Sequence, residues 1–257
     1  MIAPDSDRIV LEARGPVVRV TVGAGEKHNP MRTDDWRDLA RIFETLARDD
    51  QLRCVLLKGR GSTFSAGSDM REWVGADLEF ADESFTQMER AFRSIEALPV
   101  PVVAAISGVA TGAGCQLALA CDVRVVEDQA RIGMPIARLG VLVSPAFAER
   151  LSRLAGAGLT RYLLYTGRLL TGVEACAFGL AERCAEEGGA EASAEEIVAS
   201  IVDLPPSAIR AAKAATSGRP AGGTGHSVDH PAFLAGVNRF FATKGQMASR
   251  PATPGAA

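Results

Sequence analysis

No stretch of the 257-residue chain is apolar for long enough to span a bilayer, and the opening MIAPDSDRIVLEARG has neither a basic nor an apolar segment of secretory length. These absences lead to the expectation of a cytoplasmic protein without a membrane partner. Lys and Arg form no cluster, and a formal net charge of −3 exerts no long-range pull toward nucleic acid. Nucleic-acid partners are set aside. The five cysteines (Cys54, Cys115, Cys121, Cys176, Cys184) contain no CxxC pair, and three sit inside apolar runs. Buried free thiols in a reducing compartment are expected, not disulfides or a zinc site. None of the three histidines (His28, His226, His230) stands at ligand spacing from a second His or Cys, so no metal is expected. The chain has no internal repeat.

What is present suits one large domain, or one domain with a smaller helical part, because 47% of the residues are hydrophobic. Ile9 to Ala13 and Val17 to Val22 read as a hairpin around Arg14-Gly15-Pro16. Thr33 is placed to cap a helix running to about Arg48, with Trp36, Leu39, Ile42, Phe43 and Leu46 on its buried face. Cys54 to Lys58, Val102 to Ile106 and Val123 to Val126 are buried strands, and the second half of Trp73 to Ala97 has helical spacing. This alternation predicts an α/β protein with largely parallel pairing. From Ser144 onward helices dominate: 146–154, 159–166, 173–178, 194–204 and 207–217, with a short extended piece at Leu180 to Cys184 and a last helix over Pro231 to Ala242.

Val100 to Val126 organises the rest. An apolar strand feeds a turn with Gly108, Gly112 and Gly114, which opens into a buried helix near Ala113. Free amides at a helix start and its positive dipole end favour a guest with developing negative charge. Gly112-Ala113-Gly114 is not a dinucleotide fingerprint, since Leu117 occupies the third glycine position. Neither a GxxxxGK[ST] phosphate loop nor a GxSxG nucleophile elbow is present. A second loop, Phe64 to Met70, also follows a strand. Two such loops can each aim one N–H at a single oxygen, or can simply be tight turns.

Phe64-Ser65-Ala66-Gly67-Ser68-Asp69-Met70-Arg71-Glu72 together with Pro101 to Asp122 resembles the two signature segments of the crotonase superfamily, the enoyl-CoA hydratase/isomerase family. Lys27-His28-Asn29-Pro30, Gly133-Met134-Pro135 through Gly140, Tyr162 to Arg168, Glu174-Ala175 and Gly179-Leu180-Ala181 extend the similarity over most of Ile9 to Leu204. The resemblance implies an α/β fold, a spiral of repeated ββα units over residues 1–192. It implies a C-terminal helical region over 193–257 used in trimer assembly, as a homotrimer or dimer of trimers, with a flexible segment at 218–226 and a disordered tail. It implies an acyl-CoA thioester as ligand, with coenzyme A part of the substrate and no separate cofactor. The thioester carbonyl would be held by the amides of Ser68 and Ala113. Lys27, Ala66, Gly67 and Met70 fall on the coenzyme A side, where the Ala66 carbonyl would meet the adenine.

The chain departs from the family's hydratases at both of their glutamates, whose positions match Gln116 and Ile136. A carboxamide can orient a water or substrate oxygen but has no useful proton affinity, and Ile136 offers nothing polar. Positioned acid–base groups contribute ~10²–10⁴-fold each, so isomerase, decarboxylase or specialised lyase chemistry is expected ahead of efficient hydration. The position where some relatives carry a further acid matches Ser144, an orienting group or a helix cap. Asp69, Glu72, Glu83, Glu89 and Glu149 are the remaining carboxylates within reach. A non-catalytic acyl-CoA carrier, or a structural subunit of a fatty-acid or polyketide assembly, is the alternative.

Overall fold

Val17, Arg19 and Thr21 alternate with Val18, Val20 and Val22, and this period of two decides which face of the first strand pair enters the core. The computed structural model describes residues 7–217 and 228–243. In chain order its elements are β1 (Ile9–Arg14), β2 (Val17–Val22), α1 (Thr33–Leu46), β3 (Cys54–Gly59), α2 (Leu78–Ala97), β4 (Val102–Ile106), β5 (Val109–Thr111), α3 (Ala113–Ala120), β6 (Val123–Glu127) and β7 (Arg131–Gly133). There follow α4 (Pro145–Thr166), β8 (Leu170–Thr171), α5 (Gly172–Ala177), β9 (Arg183–Ala185), α6 (Ala190–Val202), α7 (Pro206–Thr216) and α8 (His230–Thr243).

The main sheet has the order β1-β2-β3-β4-β6-β9; β1 pairs antiparallel with β2, and every later pairing is parallel. Both faces are covered, which suits the near-continuous apolar character of β3 and β4. Val55, Leu57, Val102, Ala104 and Ile106 pack with Trp36, Phe43 and Phe92 of α1 and α2. Cys54, Leu56, Val103 and Ala105 face the other way, against Ala190, Ala194 and Val198 of α6. Those three recur at every fourth residue and form one stripe of the helix.

Three very short strands, β5, β7 and β8, make a second sheet that the sequence pattern did not reveal. Two- and three-residue strands carry too few positions for a period to show. The helices expected at 146–154 and 159–166 are α4, broken at Gly156, where φ is +71° and ψ is 163°. Thr33 is the first helical residue and not the cap of α1. Arg32 occupies the cap, and Asp35 accepts from the Arg32 N–H at 2.8 Å. Thr33 Oγ1 instead donates across to Ser84 Oγ, 3.0 Å away on α2.

The chain divides into two compact units, Met1–Leu204 and Pro205–Ala257. The first extends beyond residue 192 because α6 is part of the sheet's outer layer, where Lys58 of β3 pairs with Glu191 at 2.6 Å. The second unit holds α7 and α8, and Asp229 accepts from the Ala232 N–H at the start of α8. The segment 218–226 and the tail expected to be disordered lie outside the described residues, as does His226. Among the described residues, no helix is long and apolar enough to cross a membrane.

Candidate functional site

The two glycine loops meet. Between Ser65 and Ala110 the chain makes a single parallel bridge, with Ser65 N–H donating to Val109 O at 2.8 Å and Thr111 N–H to Ser65 O at 3.1 Å. A second bridge joins Met31 and Ser68: Met31 N–H donates to Gly67 O at 2.8 Å, and Asp69 N–H to Met31 O at 2.7 Å. In parallel pairing the residue flanked by two such bonds turns its own N–H and C=O to the opposite side. Ser68 is that residue, so its amide faces away from Met31.

Two glycines make this approach possible. Gly67 has φ +95°, and a Cβ there would stand 2.8 Å from Ala113 N and 2.8 Å from Thr111 O. A Cβ on Gly114 would lie 2.1 Å from Ser65 O and 3.1 Å from Gly67 N. Both positions are closed to any side chain. Gly112, at φ 56° and ψ −123°, precedes α3, so the Ala113 N–H belongs to the first turn of the helix and lacks an intrahelical acceptor. Neither the Ser68 nor the Ala113 N–H donates in the hydrogen bonds that fix the loops. Ser68, Ala113, Ala66 and Gly67 are thus brought together, and Ala66 N–H donates to His28 O at 2.7 Å. The Ala66 carbonyl accepts from Thr111 Oγ1 at 3.4 Å.

Lys27, His28 and Asn29 all take positive φ (48°, 66° and 53°), a left-handed turn of three non-glycine residues. Such a run is costly and must be held in place by its surroundings. Asn29 does this: Oδ1 accepts from Gly25 N–H at 2.8 Å, and Nδ2 donates to Arg60 O (2.9 Å) and Thr63 O (2.8 Å). Lys27 and His28 stay exposed at the tip. Met70 is also exposed and opens a short 3₁₀ turn capped by Asp69.

The polar residues near α3 are less available than expected. Gln116 is fully buried, its amide nitrogen donating to Met134 Sδ at 2.7 Å and Phe147 O at 3.3 Å. Its Oε1 accepts from Arg150 Nη1 at 2.8 Å. Arg150, itself buried, also pairs with Glu96 (2.8 Å) and Glu89 (3.2 Å) and lies 5.2 Å over the Phe92 ring. Burial works against the charged form of Glu96, but hydrogen bonding and charge from Arg150, with Arg153, hold its carboxyl below the usual range. Arg150 was not singled out from sequence. The available signal was an Arg in register with Phe147, Leu151 and Leu154 on the apolar stripe of a helix.

Ser144 is exposed and caps α4, accepting from Phe147 N–H at 3.3 Å. Ile136 is buried. Arg71, hydrogen-bonded to Asp69, holds that carboxyl below its ordinary value against the effect of burial. Glu72 accepts from Thr33 N–H at 2.8 Å, and Glu83 binds Arg37 and Gln87. Glu149 is exposed. Trp36 is wholly in the core, and Trp73 stacks on Phe85 at 5.4 Å.

A doubly covered, mostly parallel sheet with two interlocked glycine loops at the start of a buried helix defines an α/β protein in which the Ser68 and Ala113 amides stay outside the hydrogen bonds that fix the loops. Residues 12–221 match the family model described as Enoyl-CoA hydratase/isomerase, and the chain belongs to that family. It is 35% identical over 195 residues to YngF of Bacillus subtilis (strain 168), covering 76% of this chain and 75% of that protein. To the short-chain-enoyl-CoA hydratase of Clostridium acetobutylicum it is 30% identical over 210 residues, or 81% and 80% of the two chains. The crystal structure of an enoyl-CoA hydratase from Bacillus anthracis is similar, with TM-score 0.79, 30% identity, and coverage of 94% of this chain and 92% of that one.

Proposed function

We propose that the chain is an enzyme acting on an acyl-CoA thioester, whose carbonyl oxygen is held by the N–H groups of Ser68 and Ala113. The observation that carries this reading is the closure of Gly67 and Gly114 onto the opposite loop, which leaves those two amides outside the hydrogen bonds that fix the loops. Deprotonation, decarboxylation or carbon–carbon cleavage beside a thioester builds negative charge on that oxygen, and amides already aimed at it need no reorganisation. A single donor of this kind is worth ~10²–10³ in rate. Lys27, Ala66, Gly67 and Met70 take the coenzyme A side, where Lys27 is exposed to meet a phosphate.

Hydration of a plain enoyl-CoA is disfavoured, because Gln116 has every polar atom occupied and Ile136 is apolar. Ser144 already serves as a cap. Isomerisation, decarboxylation or a specialised lyase reaction fits better, in a homotrimer or dimer of trimers assembled through the C-terminal helices. The same occupied side chains favour one second reading, an acyl-CoA carrier or an assembly subunit without turnover.

Mass-spectrometric screening of enoyl- and malonyl-type CoA thioesters, beside calorimetric titration with acyl-CoAs, separates these readings. Turnover of any of them supports the enzyme; tight binding of all without product supports the carrier; no binding to folded protein refutes both. The Gln116→Glu/Ile136→Glu variant is the control for geometry. Hydration of crotonyl-CoA by that variant alone is expected if the amides are aimed as proposed and the native reaction lies elsewhere.

A further inference from the structure

A circuit of contacts runs from one amide residue round to the other. Ser68 Oγ donates to Met88 Sδ of α2 at 2.9 Å. Phe92 follows Met88 by one turn on the same side of that helix. Arg150 of α4 lies 5.2 Å over the Phe92 ring, and the Phe147 ring is 5.8 Å from it. Both α4 residues hold Gln116: Arg150 Nη1 donates to Oε1 at 2.8 Å, and Phe147 O accepts from Nε2 at 3.3 Å. Gln116 stands one turn after Ala113 on α3, which closes the circuit on the second amide residue. The two ends and the middle differ in exposure. Ser68 and Ala113 are half-buried, open enough to meet a ligand. Met88, Phe92, Gln116 and Arg150 are 1%, 0%, 0% and 3% exposed. A side chain with almost no exposed surface has no water-sized space beside it, and a methylene group needs as much room. Trp36, wholly buried, also stands 5.5 Å from the Phe92 ring, so Phe92 is packed against Trp36, Phe147 and Arg150 at once.

We propose that this circuit ends the acyl subsite, so that the chain takes short acyl groups, acetyl to butyryl or crotonyl, and excludes longer ones, with Met88 as the residue that sets the limit. The proposal rests on the reading of Ser68 and Ala113 as the donors to a thioester carbonyl. An acyl chain extends from that carbonyl, and the side chains standing next to the two donor residues are Met88 and Gln116. Gln116 cannot turn aside without giving up its bonds to Arg150, Met134 and Phe147. Arg150 in turn is anchored to α2 through Glu96 and Glu89. Met88 has one polar contact, the one with Ser68, so it is the member whose truncation opens space without breaking a charge network. In an open apolar channel each further buried methylene tightens binding about fourfold, and affinity climbs steadily with chain length. A filled end reverses the climb, because the added methylenes must push packed side chains out of place.

The test is calorimetric titration of the full chain with acetyl-, butyryl-, hexanoyl- and octanoyl-CoA, with free coenzyme A as the baseline. Binding should tighten from acetyl to butyryl and then weaken, by at least about tenfold at octanoyl. Met88→Ala should bind hexanoyl-CoA at least about tenfold more tightly than wild type does, since two further methylenes gain a place. Ile42→Val, a truncation in the core of α1 outside the circuit, should keep the wild-type profile, which separates a widened subsite from a loosened core. If Met88→Ala does not fold, the wild-type profile decides alone. Octanoyl-CoA binding as tightly as butyryl-CoA, or tighter, would overturn the size limit and leave the thioester reading standing. The same profile in wild type and in folded Met88→Ala would overturn the part given to Met88. Failure of folded wild type to bind any of the four thioesters would refute the thioester reading, and the size limit with it.

Discussion

Replacing Arg150 by Met tests whether the guanidinium beside Gln116 holds this part of the core together. Met keeps much of the stem's apolar contact and removes the charge and all of its hydrogen bonds. Gln116 Oε1 then loses its donor while fully buried, which costs about 1–3 kcal/mol. Glu96 and Glu89 lose their shared cation, but their side chains are 28% and 19% exposed, so water recovers part of the loss. A fully buried pair broken on one side costs ~3–5 kcal/mol, and the partial exposure puts the total near the lower end, about 3 kcal/mol. In a chain of this size that lowers the melting temperature by roughly 6–12 °C. The pH dependence gives a second, independent reading. Glu96 is depressed in the folded state, so its share of stability is present above the unfolded carboxylate value and is lost as pH falls through the folded one. The gap between wild type and Arg150→Met, followed by thermal or urea denaturation, should therefore be largest near pH 7 and should narrow as the solution is taken below the ordinary carboxylate range. A gap below about 1 kcal/mol at pH 7, or one that does not change on acidification, would show that the cluster is solvated decoration and that Gln116 is held by other means.

Gly67→Ala forces a Cβ to within 2.8 Å of the Ala113 nitrogen at a positive φ, so it should cut thioester turnover or binding by at least ~10² while far-ultraviolet dichroism stays native. Retained turnover would remove the oxyanion reading. Ser144→Ala should lower stability by ~0.5–2 kcal/mol through loss of the α4 cap and leave kcat unchanged; a large fall in kcat with normal stability would return Ser144 to the chemistry. Asn29→Ala leaves the Gly25 amide and the Arg60 and Thr63 carbonyls without partners and should cost about 2–4 kcal/mol, read as a lower denaturation midpoint. It should also weaken acyl-CoA binding measured by calorimetry, because Ala66 hangs on the His28 carbonyl next door.

The parts of the fold legible in the sequence were those whose pattern is longer than the period that reveals it. β2, β3, β4 and β6 announced themselves by β-branched runs, and α1 and α2 by apolar stripes. β5, β7 and β8 did not, since a strand of two or three residues is fixed by its neighbours and not by its own composition. The same limit applied to single positions. Thr33 had the right chemistry for a cap, yet the hydrogen bond from its hydroxyl to Ser84 lies 51 residues away in sequence and gave no local sign. Glu89, counted among the carboxylates within reach, is paired with Arg150 of another helix as well as with Arg93 four residues on, and the first of these partners left no local sign.

This division between local and remote information separates the two halves of the proposed site. The amide half is written in glycines: positions 67 and 114 are required by close backbone approach and position 112 by its positive φ, so their meaning survives without knowledge of any side-chain partner. The acid–base half depends on which partner a side chain finds, and here the partners are internal. Gln116 is bound to Arg150, Met134 and Phe147, and Ser144 to the first turn of α4. A Glu introduced at 116 would meet the same guanidinium at about 2.8 Å, with Glu89 and Glu96 already on it. It would also turn an oxygen toward the Phe147 carbonyl in place of a donor. Restoring the carboxylate is therefore a change in a buried charge network as well as in a reactive group, and binding and turnover of thioesters have to be measured separately in every variant of this position.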